Sequence, residues 1–156
     1  MNSDEIDFRQ ACETDVDTLA LLVGELGYST EISILCERLS ELNKAGDIAL
    51  VALHRSAVIG LALLHRTYFL HRPADGRIST LVVFENYRGR GVGTRLIKEA
   101  ESIFRSWGCG RIEVTSGAQR EAAHRFYNRA GYSEQPKRFV KTLAEELPNK
   151  SLQQSG

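Results

Sequence analysis

Apolar positions along the chain repeat at two different spacings. Val16, Leu19, Leu22, Val23 and Leu26 step by three and four, the period of one helix face. Thr14 followed by Asp17 resembles an N-cap pair ahead of them, and Gly27 stands where that helix should stop. Ile32, Leu35, Leu39 and Leu42 repeat the pattern between a capping Thr30 and a terminating Gly46. Val92, Leu96, Ala100 and Ile103 with Phe104 do so again over residues 91–107, ahead of Gly108. A shorter helix is predicted over 120–130, with Gly131 placed to end it.

The other segments read as strands: 6–10, 48–54, 58–68, 77–84, 111–115 and 138–142. The strands at 48–54 and 58–68 are joined by a short turn at Arg55-Ser56. Their apolar runs are too continuous for a sheet with one wet face, so both faces should be covered. The order β-α-α-β-β-β-α-β-α-β predicts an α/β (α+β) fold with a mixed, mostly antiparallel central sheet flanked by helices.

Composition narrows the class. At 156 residues the chain suits one domain, expected over 1–146, with a disordered polar tail over 147–156. Zero formal net charge gives no global field for nucleic acid or an anionic membrane. No segment approaches the roughly 20 apolar residues that span a bilayer, and the acidic start MNSDEIDFRQ does not read as a secretory signal. Cys12, Cys36 and Cys109 are odd in number and far apart, as free thiols in a reducing cytoplasm would be. They form no C-x-x-C pair, and His54, His65, His71 and His124 have no metal-like spacing, so no metal is expected.

The candidate chemistry begins at Val82-Val83-Phe84-Glu85-Asn86-Tyr87-Arg88-Gly89-Arg90-Gly91-Val92-Gly93-Thr94-Arg95. An apolar strand ends, a basic glycine turn follows, and a helix begins. Glycines let the backbone turn sharply and approach a ligand closely. The first N–H groups of the helix lack intrahelical partners and can point at an anion. Arg88, Arg90 and Arg95 add positive charge, so a phosphate or pyrophosphate is expected. A P-loop is rejected because no Lys-Ser/Thr pair follows the glycines. A dinucleotide turn needs G-x-G-x-x-G after a first strand, whereas Gly89, Gly91 and Gly93 give G-x-G-x-G after a hairpin series.

Arg88-x-x-Gly91-x-Gly93 instead resembles the R/Q-x-x-G-x-G/A signature of the GNAT superfamily of acyl-CoA N-acyltransferases. The segment Ala123-His124-Arg125-Phe126-Tyr127-Asn128-Arg129-Ala130-Gly131-Tyr132 is similar to its second hallmark, A-x-x-F-Y-x-x-x-G-F/Y. The likeness extends over about residues 6–143. It implies a sheet with a splayed strand pair and coenzyme A pyrophosphate held by the amides of Arg88, Gly89, Arg90, Gly91, Val92, Gly93 and Thr94. It also implies pantetheine paired like an added strand on Leu81, Val82 and Val83. Arg120, at a position where the family often has a coenzyme-contacting Asn, is a further candidate cofactor contact.

Acetyl transfer to an amine needs a neutral nucleophile, donors for an oxyanion, and a proton for the departing thiolate. Tyr127 aligns with the family's tyrosine acid, and a phenol with an ordinary pKa of about 10 is protonated at neutral pH. A core aromatic beside Phe126 is the plainer reading. N–H groups near Val82 and Val83 are the implied oxyanion donors. The base is open. Many members carry a glutamate where this chain has Ser79, and serine is no general base without a partner, though it can hold a water. Glu85 lies about 20 Å along the strand from Ser79 and cannot substitute. Glu113, alternating with Ile112 and Val114 on a strand expected to be covered on both faces, is the candidate base or amine-binding anion. An ion pair with Arg111, Arg120 or Arg125, an exposed strand end, and catalysis through ordered water stand beside that role. His124 is read as packing or solvated.

By the resemblance, the first two helices and their connection line the acceptor pocket. Glu25, Tyr28 and Glu31 are therefore candidates to receive a cationic amine, with Ser79 beside them, and the 69–75 loop is a second rim. The expected activity is N-acetylation of a small primary amine, such as an amino acid, polyamine or aminoglycoside, with acetyl-CoA as co-substrate. A protein N-acetyltransferase and a non-catalytic acyl-CoA-binding regulatory module are the alternatives. Nucleic acid and membrane are not expected as partners, and a homodimer is left open.

Overall fold

The computed structural model describes residues 5–115, 121–135 and 138–144. The chain divides into two compact units, Met1–Thr115 and Ser116–Gly156.

The first unit holds a five-stranded sheet in the spatial order of the sequence, β1 (Ile6–Gln10), β2 (Ile48–His54), β3 (Ala57–Thr67), β4 (Asp75–Val83) and β5 (Arg111–Val114). The first four strands are antiparallel to their neighbours, and β5 runs parallel to β4. A two-residue turn joins β2 to β3, with Arg55 and Ser56 both at positive φ (50° and 69°), the backbone hand that suits a tight hairpin.

Helices α1 (Val16–Glu25) and α2 (Ile32–Lys44) lie against one face of this sheet, where Leu19, Leu22 and Leu39 pack with Ala49, Val51, Leu61 and Val82. Helix α3 (Val92–Ser106) covers the other face, burying Val92, Leu96, Ile97, Ala100 and Phe104. The Phe104 ring occupies the space a Cβ on Gly76 would need, so the helix approaches β4 closely only because that residue has no side chain. The prediction of central strands covered on both faces holds: β2 is buried at its five inner positions. No helix among the described residues is long and apolar enough to cross a membrane.

Asp15, not the Thr14–Asp17 pair, organises the entry to α1. A single 3-10 turn, Glu13–Asp15, precedes the helix. The Asp15 carboxylate accepts the Cys12 backbone N–H at 2.8 Å and two N–H groups of Arg9 at 2.7 and 3.0 Å. The Arg9 guanidinium beside it brings its pKa down to about 2.

Two features shape the sheet's functional end. The β3–β4 register shifts at Leu63/Leu64: Leu63 pairs Thr80 while Leu64 pairs Ile78, leaving Ser79 as the extra residue of a bulge. Pairing with β5 covers only Asp75–Ile78 and closes with Thr115 N–H donating to the Ile78 carbonyl at 3.2 Å. From Thr80 to Val83, β4 pairs β3 on one side, and among the described residues Ser79 to Val83 have no β5 partner on the other. This is the splayed pair that the resemblance implied.

In the second unit, α4 (Glu121–Arg129) ends in a turn with Gly131 at φ 93°. Residues 138–142, predicted as a last strand, carry no strand pairing among the described residues, and Phe139 and Val140 are exposed. A β-prone run becomes a strand only when a ladder partner is supplied. Arg120 and the predicted tail over 147–156 lie outside the described residues.

Candidate active site

The glycine turn forms as the sequence predicts. After β4, Phe84 N–H donates to the Ile59 carbonyl at 3.0 Å, and Glu85–Tyr87 make one 3-10 turn. The chain then passes through Gly89 (φ 75°) to Gly91 (φ 81°), the left-handed residue that opens α3. The first backbone bond of the helix is Arg95 N–H to the Gly91 carbonyl at 3.1 Å. The N–H groups of Val92, Gly93 and Thr94 therefore have no intrahelical acceptor and carry the positive end of the helix dipole. Val92 is 2 % exposed and pins this end in the core, while Gly89, Arg90, Gly91 and Thr94 face solvent.

The arginines of the turn behave differently from the expectation of simple added charge. Arg88 Nε donates to the Val83 carbonyl at 3.1 Å, and its terminal nitrogen meets Glu25 of α1 at 2.9 Å. Arg95 reaches back to the Ile6 carbonyl at 3.3 Å and lies over the Phe8 ring. Arg90 sits above Tyr87. Arg88 and Arg95 brace the turn against α1 and β1. Tyr87 is held from below by His54 Nδ1 at 3.2 Å, whose other ring nitrogen meets Glu5 at 2.9 Å. The His54 bond, with Arg55 adding to it, keeps the Glu5 carboxyl below its usual range. With Glu25 committed to Arg88, its predicted role as an amine-binding anion is replaced by a structural one.

Ser79, Leu81 and Val83 are half-buried and Val82 is buried, all on the stretch of β4 that β5 leaves unpaired. Glu113 departs from its premise. It is exposed, and it lies opposite Arg77 inside the paired part of β4 and β5. Strand β5 is four residues long, and its alternation turns Arg111 and Glu113 outward while Ile112 and Val114 are half-buried. No covered strand forces a purpose on that carboxylate. Tyr28 is half-buried after α1, and Glu31 is exposed at the start of α2. In the second unit, Tyr127 is half-buried on α4, edge-to-face with Phe126 and Tyr132.

A group that sequence reasoning gave no role lies beside Ser79. Its Oγ is 2.5 Å from His65 Nε2, and His65 Nδ1 is 3.0 Å from the Asp47 carboxylate. The three residues are 14 and 18 positions apart in sequence, so no local motif announces them. The available signal is a histidine interrupting the apolar run of β3.

Comparison with known proteins bears on all of this. The acetyltransferase (GNAT) family model matches residues 20–132. The aminoalkylphosphonate N-acetyltransferase of Salmonella typhimurium is 32% identical over 143 residues, covering 88% of this chain and 91% of that protein. N-alpha-acetyltransferase 30 of Schizosaccharomyces pombe is 27% identical over 86 residues, covering 55% of this chain and 57% of its own. Among solved structures, a Trypanosoma brucei acetyltransferase superposes with a TM-score of 0.77 at 26% identity, covering 88% of this chain and 99% of that one. An aminoglycoside N-acetyltransferase in complex with CoA shares the fold, with a TM-score of 0.78 at 17% identity over 89% of this chain and 95% of that one.

Proposed function

The chain belongs to the acetyltransferase (GNAT) family, and on that premise we propose that it transfers the acetyl group of acetyl-CoA to a primary amine of a small molecule. The amine attacks directly and the reaction passes through a tetrahedral intermediate. One observation carries the donor half: an exposed glycine turn opens α3 at the end of the β4 stretch that β5 leaves unpaired. In this reading the amides from Arg88 to Thr94 take the pyrophosphate, and the unpaired edge at Leu81, Val82 and Val83 takes the pantetheine as an added strand. Backbone N–H groups near Val82 and Val83 stabilise the oxyanion. Tyr127 gives the departing thiolate its proton. Arg120 remains a proposed coenzyme contact on resemblance alone.

The acceptor reading rests on a contrast between relatives. The Salmonella protein, named for aminoalkylphosphonates, matches along nearly the whole of both chains, whereas the match to the N-alpha-acetyltransferase covers 55% of this chain and 57% of that protein. Tyr28 and Glu31 at the α1–α2 connection, with Ser79 on β4, are the proposed acceptor contacts. The test is thiol release from acetyl-CoA across a panel of aminoalkylphosphonates, amino acids, polyamines, an aminoglycoside and peptide N-termini. Release with one or more small amines is expected. Release with peptides alone overturns the acceptor class, and release with none overturns the reaction.

A further inference from the structure

We propose that Asp47, His65 and Ser79 form a proton relay that deprotonates the acceptor amine. The inference rests on the acetyl-transfer reading above and supplies the base that reading lacks.

The contacts run across β4 and β3 to the entry of β2. Asp47 immediately precedes β2, His65 is on β3, and Ser79 is on β4. His65 shares the strand parity of Leu61 and Leu63, which pack toward α1 and α2. Asp47 has the parity of Ala49 and Val51 on that same face. A carboxylate can only accept, so the Nδ1 contact at 3.0 Å places the proton of neutral His65 on Nδ1. That leaves the Nε2 lone pair to accept the Ser79 hydroxyl. A hydroxyl whose proton points at an imidazole turns its own lone pairs outward, where an ammonium or a water can donate to it. The side chains of His65 and Asp47 are 24% and 20% exposed, so the relay is partly shielded yet open to a ligand.

The backbone explains why this serine, of all the residues on β4, is presented. Ser79 is the bulged residue of the β3–β4 ladder, and bulges re-aim side chains. It is also the first residue past the end of β5 pairing, so it stands at the root of the opening.

The step is a transfer of one proton. An N–H bond of the bound ammonium breaks as an O–H bond forms on a bridging water, and an O–H bond of that water breaks as one forms on Ser79 Oγ. The original Ser79 O–H bond breaks as an N–H bond forms on His65 Nε2. The amine is left neutral with its lone pair free to attack the acetyl carbon. The imidazolium is held by the Asp47 carboxylate until its proton passes to water. Asp47 contacts the imidazole, and Arg77 lies opposite His65 in the ladder, with its Nε donating to Thr115 Oγ1 at 3.2 Å. Ser79 acts here as a proton conduit and not as a nucleophile. The proposed oxyanion donors near Val82 are three residues on, about 10 Å along the strand, so the water bridges the attacking amine to Ser79 Oγ and no bond forms between Oγ and the acetyl carbon.

Two acceptors of similar shape separate this role from a structural one. A primary alkylamine is protonated at neutral pH, whereas its aminooxy analogue is already neutral and needs no base. His65→Gln is expected to lower kcat for the alkylamine by at least ~100-fold, with the acetyl-CoA KM unchanged and the aminooxy rate reduced by less than about tenfold. Ser79→Ala, the milder substitution, should lower the alkylamine kcat at least ~10-fold and likewise spare the aminooxy compound. Equal losses with both acceptors overturn the relay and leave a structural hydrogen-bond chain. An acetylated Ser79 peptide after mixing with acetyl-CoA alone overturns it in favour of a covalent route. Wild-type protein that releases CoA with neither acceptor overturns the acetyl-transfer reading and the relay together, and is distinguished by failing before any substitution is made.

Discussion

Arg88 of the glycine turn is tied to Glu25 at the end of α1, guanidinium to carboxylate at 2.9 Å, while its Nε holds the carbonyl of Val83 at 3.1 Å. The arginine of the signature therefore spends its side chain on fixing the turn relative to the end of β4, and leaves the proposed pyrophosphate binding to the backbone. The pair is partly exposed, and such pairs contribute up to about 1 kcal/mol. Glu25→Gln should raise the acetyl-CoA KM by up to about fivefold with kcat little changed, measured by steady-state kinetics. An equal fall in kcat with KM constant would contradict the bracing role.

Gly91 stands at φ 81° at the mouth of α3. Gly91→Ala has open space for its Cβ but a strained backbone, costing about 1–2 kcal/mol and lowering Tm by several degrees. Gly91→Asp adds a carboxylate where the pyrophosphate is proposed to bind. It should raise the acetyl-CoA KM more than about tenfold beyond the alanine variant, equivalent to about 1.4 kcal/mol. Comparing the two variants separates strain from repulsion, and matching KM values would move the phosphate elsewhere.

Tyr127→Phe removes the phenolic proton and keeps the ring contacts with Phe126 and Tyr132. Loss of a general acid lowers kcat by roughly 10²–10⁴-fold, with KM for both substrates nearly constant. A change confined to KM would assign Tyr127 to binding.

Gly76→Ala should destabilise the fold without touching the chemistry. Its Cβ would meet the ring of Phe104, which is 1% exposed and fixed in the α3 core. Overpacking of this kind costs about 1–3 kcal/mol, readable as a lower urea midpoint with an unchanged m-value. Gly76→Ala with Phe104→Leu should recover part of the loss.

Asp15 predicts an acid transition. Its carboxyl is brought down to about 2 by Arg9 in the folded chain, against an unfolded value near 3.8. A depressed carboxylate stabilises the fold above the unfolded value and loses that contribution as pH falls through the folded one. About 2 kcal/mol should disappear between about pH 4 and pH 2. Asp15→Asn should be less stable at pH 7 and show a flatter stability profile over that interval, measured by urea denaturation at each pH.

The sequence alone determined what depends on neighbours along the chain. Helical periodicity located α1, α2 and α3, because a 3.6-residue period is a property of one segment. The glycine turn at Gly89 and Gly91 and the free N–H groups of Val92, Gly93 and Thr94 were legible for the same reason. Tertiary structure decided the rest. The strand expected over 138–142 has no ladder among the described residues, since pairing is a property of two segments. Glu113 is exposed because alternation on β5 turns it to the open face of the strand, and which faces of a strand are covered is decided by other segments. Asp47, His65 and Ser79 meet because three strands align in one register and a bulge turns one residue toward the others. Contacts across a sheet are fixed by register, and register is set by the burial of whole strand faces together. The Asp47–His65–Ser79 chain of contacts therefore appears only once the sheet has formed.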